Sequence, residues 1–281
     1  MIRALTGTPV TVVFRFTLDE IPTDPDGQAV TVTATGPTGP VDTGPVTREA
    51  IGVYSVRLPA SPNPTQLDVI CAGEFAGDPV ALAETVEVVS ARLFDLVELR
   101  AADPALADRD RWPTDLLETV RMETEDEAEQ IMARSFFRRY RTSTVIADGN
   151  YELWVDSPLP IRQVVSAAIA GEAVDVSAVR STRLGAVTNP DGWPSETDVS
   201  LSVVYGEDRV PTDIRRAAII RARTRLFDFN SGIPDRATGF TAAEGGGTYM
   251  LATPGRAGWE TGIPEVDAVY KRHSYRIPGV W

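Results

Sequence analysis

Along the first ninety residues, apolar positions recur with a period of two. Val12, Phe14, Phe16 and Leu18 fall on one face of an extended run, which is the pattern of a half-buried strand. Ala29 to Thr35 alternates Val with Thr. Gly52 to Leu58 sets Val53, Ser55 and Arg57 on one face and Tyr54, Val56 and Leu58 on the other. Leu67–Ala72 and Ala83–Val89 supply two more strands. The breaks at 22–27, 36–40 and 59–64 are rich in Pro, Gly, Asp and Asn, the residues that make turns. Short strands with this punctuation predict a small all-β sandwich over residues 1–90.

The period changes after Val89, and a boundary falls at Ser90–Leu93. Leu93 to Arg100 has helical spacing. Trp112-Pro113-Thr114 then sets up a helix start, with Thr114 as the expected N-cap and Asp115 and Glu118 in the first turn. This helix is expected over about 114–134, with Leu117, Val120, Thr124, Ala128 and Ile131 as its buried stripe. Glu123, Glu125, Asp126, Glu127 and Glu129 are expected on its opposite, charged face. Phe136 to Tyr140 is an aromatic and basic exit. Strands follow at 142–147, 151–155, 161–169 and 199–205, a β insertion spanning about 142–205. Asn189 to Pro194 reads as a turn anchored by Trp193.

Pro211-Thr212-Asp213 opens a second helix, expected over about 212–228. Ile214, Ala218, Ala222 and Leu226 form its narrow apolar stripe, and Arg215, Arg216, Arg221, Arg223 and Arg225 crowd its outside. These arginines could pair with the acidic helix of the same subunit, or with acids of a neighbouring subunit in a ring. Nucleic-acid binding is less well supported, because no aromatic platform is interleaved with the arginines. Residues 230–281 form an expected C-terminal arm. It contains Gly245-Gly246-Gly247, but no Lys-Ser/Thr and no helix follow as a phosphate loop requires. A short helix at about 264–272 has Pro early and bases late. The arm ends on Tyr275, Ile277, Val280 and Trp281.

Composition narrows the chemistry. The 281 residues carry a formal net charge of -13, which argues against tight wrapping of DNA but suits a lumen through which a duplex slides without sticking. Cys71 is the only cysteine and His273 the only histidine, so a cysteine cluster or a His-rich zinc site is impossible. No Gly-x-Ser-x-Gly elbow is present. The chain is therefore expected to be neither an enzyme nor a cofactor protein. No apolar run approaches a membrane span, and the N-terminus lacks a signal sequence, so synthesis in a bacterial cytoplasm is expected.

Several pieces, taken in order, resemble the head–tail adaptor (connector) proteins of long-tailed bacteriophages. They are Asp103 to Asp108, Phe136 to Tyr140, Asp208 to Ala218, Ile233 to Thr238, Thr261 to Val269 and Ile277 to Trp281. The resemblance covers about residues 93–281. Residues 1–90 lie outside it; their Gly52-Val53-Tyr54-Ser55-Val56 is similar to immunoglobulin-like modules. The implied fold class is α+β and multidomain: an Ig-like β-sandwich, then a mainly helical adaptor domain with a β insertion and an extended arm. The resemblance implies a virion protein of the phage neck, at the capsid–tail junction. It would form a homo-oligomeric ring, usually a dodecamer, between the portal protein and the stopper or tail-completion protein. Genomic DNA would pass through its lumen without sequence-specific binding, and no membrane would be involved. Ile263, Tyr270, Tyr275, Ile277, Val280 and Trp281 are the expected portal contacts. Glu123, Asp126, Glu127, Arg215, Arg216 and Arg223 are the expected ring contacts. The alternative reading is a tail or baseplate module whose sandwich touches the host surface.

Overall fold

A computed structural model describes residues 1–155, 160–182, 185–231, 237–243, 246–251 and 260–275, with side chains described up to Phe227 and again from Glu260 to Tyr275. The chain divides into two compact units. One joins Met1–Ala91 to Phe137–Asp208; the other joins Arg92–Phe136 to Arg209–Trp281.

The N-terminal part of the first unit is built from ten strands: β1 (Ile2–Leu5), β2 (Val10–Arg15), β3 (Thr17–Leu18), β4 (Ile21–Pro22), β5 (Thr31–Gly36), β6 (Gly39–Val41), β7 (Val46–Ala50), β8 (Val53–Leu58), β9 (Thr65–Phe75) and β10 (Asp78–Val89). They make a five-stranded sheet in the order β1-β10-β9-β5-β6, a three-stranded sheet in the order β2-β8-β7 and the two-stranded pair β3-β4. The β1–β10 pair is parallel and the remaining pairs antiparallel. The alternation read from the sequence sets the core. Val12, Phe14 and Phe16 meet Tyr54, Val56 and Leu58 from one sheet, and Leu67, Val69, Cys71, Val86 and Val88 from the other. Each of these larger side chains contributes about 1.5–3 kcal/mol by leaving water. Cys71 is fully buried, and desolvation pushes its thiol up to about 11, so it packs as a small hydrophobe.

The second part of this unit carries β11 (Arg139–Asp148), β12 (Glu152–Trp154), β13 (Ile161–Ile169), β14 (Glu172–Val174), β15 (Arg180–Ser181), β16 (Ala186–Thr188) and β17 (Ser195–Tyr205). The eleven-residue β17 is central, pairing with β11 on one side and β13 on the other. Its Val199, Leu201 and Val203 are fully buried. Trp193 anchors the preceding turn, donating from Nε1 to the Val187 carbonyl at 3.2 Å.

A buried ionic triad fastens the two parts of this unit together. Glu87 on β10 stands in register beside Arg3 on β1 and accepts from Arg3 Nε at 2.7 Å. The same carboxylate accepts from Arg139 Nε at 2.6 Å and Nη2 at 3.0 Å. All three side chains are nearly sealed from water. Next to the triad, Arg138 N–H donates to Ser90 Oγ at 2.8 Å and Ser90 N–H to the Arg138 carbonyl at 3.0 Å.

The second unit holds α1 (Leu96–Ala102), α2 (Thr114–Met132), α3 (Thr212–Ser231) and α4 (Pro264–His273). It also contains a hairpin of β18 (Ala237–Ala243) and β19 (Gly246–Leu251). The expectation of a mainly helical domain after residue 93 is overturned. Among the described residues 42% lie in strands and 25% in helices, so the chain is predominantly β. The long stretch read as an insertion is a set of sheets in its own right, and the expected arm contains a strand pair. At the N-terminus of α2 the expected cap also shifts: Pro113 occupies the N-cap position and Thr114 is the first helical residue. The helix stops at Ala133, whose left-handed φ of 51° makes the C-cap.

Leaving Glu87 buried with half its partners removed should be costly, because an uncompensated buried charge destabilises by about 3–5 kcal/mol. Arg139→Met is expected to lower the urea midpoint accordingly. Replacing all three members together (R3M, E87L, R139M) is expected to restore most of that loss. An unchanged midpoint for R139M alone would show that the triad carries no constraint.

Candidate assembly interface

The helical unit begins with a carboxylate buried where the sequence suggested a solvated face. Glu125 is almost fully buried on α2, accepting from Arg92 Nη1 at 3.1 Å and from the Leu93 backbone N–H at 2.9 Å. The acidic face of α2 is thus split. Glu125 turns inward, whereas Glu123 and Glu127 turn toward α3. The inward stripe is otherwise as the spacing predicts, with Leu117, Val120, Thr124 and Ala128 buried; Met132 takes the deeply buried place expected for Ile131.

The arginines of α3 find acids of their own chain. Arg221 forks onto Glu127, with Nε to Oε2 at 2.8 Å and Nη2 to Oε1 at 2.9 Å. Arg225 reaches Glu123 at 2.9 Å and Glu127 at 3.0 Å. The earlier acid meets the later arginine, so α2 and α3 run antiparallel here. Burial alone would raise the Glu127 carboxyl, but the hydrogen bond and charge of Arg221, reinforced by Arg225, outweigh it and hold the group below its ordinary value. The other basic residues leave α2 entirely. Arg215 pairs with Glu98 on α1 at 3.1 Å, Arg216 with Glu265 on α4 at 3.3 Å, and Arg223 with Asp103 at 3.7 Å. Asp126 lies half-buried on α2. Of the expected ring residues, Arg215, Arg216 and Arg223 each pair with an acid outside α2, while Glu123 and Glu127 share Arg225 of their own chain. The signal for Arg221 and Arg225 was legible in the sequence, since both acids and both arginines are spaced four apart, one helical turn.

The expected portal contacts separate by environment. Tyr270 of α4 is fully buried beside Glu127 and the arginines of α3, and this burial pushes its phenol far up. It is a core residue with no surface to present. Ile263 is half-buried at the N-cap of α4. Just before it, Thr261 N–H and Oγ1 both donate to the Asp267 carboxylate, at 2.9 and 2.7 Å. Tyr275 is half-buried, and its N–H donates to the Met132 carbonyl at 2.9 Å. Ile277, Val280 and Trp281 lie outside the described residues. The end of α4 is tied to the start of α3: Asp213 accepts from His273 Nε2 at 2.8 Å and from Arg272 at 3.4 Å. The His273 hydrogen bond is the main cause holding the Asp213 carboxyl below its ordinary range.

Among the described residues no group of three or more His, Cys, Asp or Glu could hold a metal ion, and no helix is long and apolar enough to cross a membrane.

No known protein family matches the chain, and no curated protein does. Among solved structures it is similar to the neck of an empty GTA particle computed with C6 symmetry, at 14% identity and a TM-score of 0.40, over 67% of this chain and 93% of that one. It is similar to the neck of a native GTA particle computed with C12 symmetry, at 14% identity and a TM-score of 0.39, over 64% and 93%. The titin M3 domain matches at 13% identity and a TM-score of 0.21, over 31% and 84%. Likenesses at these scores carry no argument about function.

The Glu127 pairing sets an acid limit. Its folded pKa lies below the ordinary value of 4.5, so its stabilisation is complete above about pH 4.5 and fades as pH falls through the lower folded value. Glu127→Gln should cost about 2 kcal/mol at pH 7. The variant should also lose less stability than the parent between pH 6 and pH 3, as read by urea melts at both ends. Equal acid losses would remove Glu127 from the account.

Proposed function

We propose that this chain is a structural protein of a phage neck, an adaptor whose copies form a ring between the portal and the stopper or tail and extend the DNA channel. One observation carries the reading. Two of the pieces that resemble the adaptor family, Asp208 to Ala218 and Thr261 to Val269, lie far apart in the sequence, yet Arg216 of the first pairs directly with Glu265 of the second. Asp103 holds α3 through Arg223, α3 holds α4 through Arg216 and Asp213, and Thr261 caps α4 through Asp267. In this reading the chain is non-enzymatic, the ring is a dodecamer, residues 1–90 are an immunoglobulin-like module carried by the adaptor, and the acidic surface lets DNA pass without sticking.

Because α2–α3 contacts are satisfied within the subunit, ring contacts fall to the more exposed ion pairs. Arg216 is the most exposed base of α3 in an ion pair, at 75%, against 59% for Glu265. Portal contact falls to Ile263, Tyr275 and the residues beyond. Removal of everything after Gly262 would strip Val266 and Tyr270 from the core, so the informative truncation ends after Tyr275.

That truncation is expected to leave the melting temperature of the purified chain within a few degrees of the parent. Particles that rely on it should fail to join heads to tails. Immunogold against the full-length chain should label the capsid–tail junction of intact particles. Gold at the distal tail tip, or truncated chains that still support joined particles, would overturn the reading.

A further inference from the structure

One end of the N-terminal sheets carries a feature that the neck reading does not use. Strands β3 and β4 form a two-residue hairpin, Leu18-Asp19-Glu20-Ile21, in which Leu18 and Ile21 are directly opposed. Opposed residues of an antiparallel pair share a face. Both are large aliphatics left in water, Leu18 at 54% and Ile21 at 66% exposure. Ile51, at 60%, sits in the β7–β8 turn. Its neighbour Gly52 touches both legs of the hairpin base: Phe16 N–H donates to the Gly52 carbonyl at 2.7 Å, and a Cβ on Gly52 would lie 2.7 Å from Thr23 N.

The tip is strained and is braced from behind. Asp19 and Glu20 take positive φ values of 50° and 66°, a turn that Asn-Gly fills at least cost. Asp and Glu pay strain there. Behind the tip, Asp24 accepts two hydrogen bonds from Arg48 at 3.0 and 2.6 Å, one from Gly52 N–H at 2.9 Å and one from Tyr54 OH at 3.0 Å. The Arg48 bonds hold the Asp24 carboxyl well below the usual carboxylate range. A strained acidic turn, flanked by exposed aliphatics and braced from behind, presents its surface without an ordering cost on binding.

We propose that Leu18, Ile21 and Ile51, with Asp19 and Glu20 between them, form a docking tip for a partner protein that offers an apolar pocket rimmed by Lys or Arg. Charge selects this occupant. Acids at the tip repel DNA phosphate and anionic lipid, and a second copy of a chain with net charge -13 brings the wrong sign. The tip holds no aromatic platform for a sugar ring. The proposal stands whether or not the chain sits in a neck.

The test places a photo-crosslinking amino acid at Leu18, Ile21 or Ile51 of the full chain in the cells that make it, with Thr33 as an exposed control position. The expected result is a crosslink to one protein peptide rich in Lys or Arg and aliphatic residues, absent from the Thr33 control. Asp19→Arg with Glu20→Arg should cut the yield about tenfold by reversing the steering charge. Asp19→Asn with Glu20→Gly should also lower the yield while raising the melting temperature, which separates loss of binding from loss of fold. Crosslinks no stronger than at Thr33 would overturn the proposal. So would capture of nucleic acid, lipid or the chain itself, or yields indifferent to both double variants.

Discussion

The β unit depends on one carboxylate withdrawn from water. Glu87 alone would be intolerable where it lies, because an isolated buried charge costs several kcal/mol. Arg3 from the first strand and Arg139 from the start of β11 remove that cost together. Apolar side chains would hold these segments at least as firmly, but less selectively. Grease accepts many registers, whereas a carboxylate with two guanidinium partners accepts very few. The pairing Arg3 opposite Glu87 therefore fixes β1 on β10, and Arg139 fixes where the second group of sheets begins. The core of Val12, Tyr54 and Val69 supplies most of the energy, and the triad supplies the address.

The helical unit uses the same chemistry more widely. Glu125 is sealed beneath Arg92, and Glu127 is gripped by Arg221 and Arg225. Each carboxylate, through its arginine partners, dictates which segment packs beside α2. Arg suits this role because its planar fork matches a carboxylate bidentately and stays charged. A chain with Lys271 as its sole lysine has little choice of base, and the structure turns that bias into a lattice of directional contacts. The cost is sensitivity to acid at Glu127, whose carboxyl Arg221 and Arg225 hold below its ordinary value.

Much of the local structure was legible. The alternation of Val12, Phe14 and Phe16, and of Tyr54, Val56 and Leu58, marked the side chains that are buried in the core of the N-terminal sheets. The Ile214, Ala218, Ala222 and Leu226 stripe marked the buried side of α3. What the pattern concealed were its exceptions. Glu125 reads as part of an acidic face because its partner Arg92 lies thirty-three residues away, beyond any local period. Tyr270 reads as an aromatic of the arm, and only tertiary packing shows it inside. The mainly helical class fails because seven strands lie between Arg139 and Tyr205 and outweigh the two long helices that flank them. The partners of Arg215, Arg216 and Arg223 were also hidden, since three different elements supply them and no spacing links those elements to α3.

The division of the chain has a consequence for its birth on the ribosome. Each compact unit is made of two segments, and the segments interleave, so neither can close before the chain has passed residue 208. Helix α2 ends at Met132, and its partner α3 begins at Thr212, roughly eighty residues later. At about 5–20 residues per second, α2 waits on the order of several seconds with its apolar stripe uncovered. Glu123 and Glu127 likewise wait for Arg221 and Arg225, which arrive only with α3. Until then neither the apolar stripe nor the charged edge of α2 has the helix it packs against.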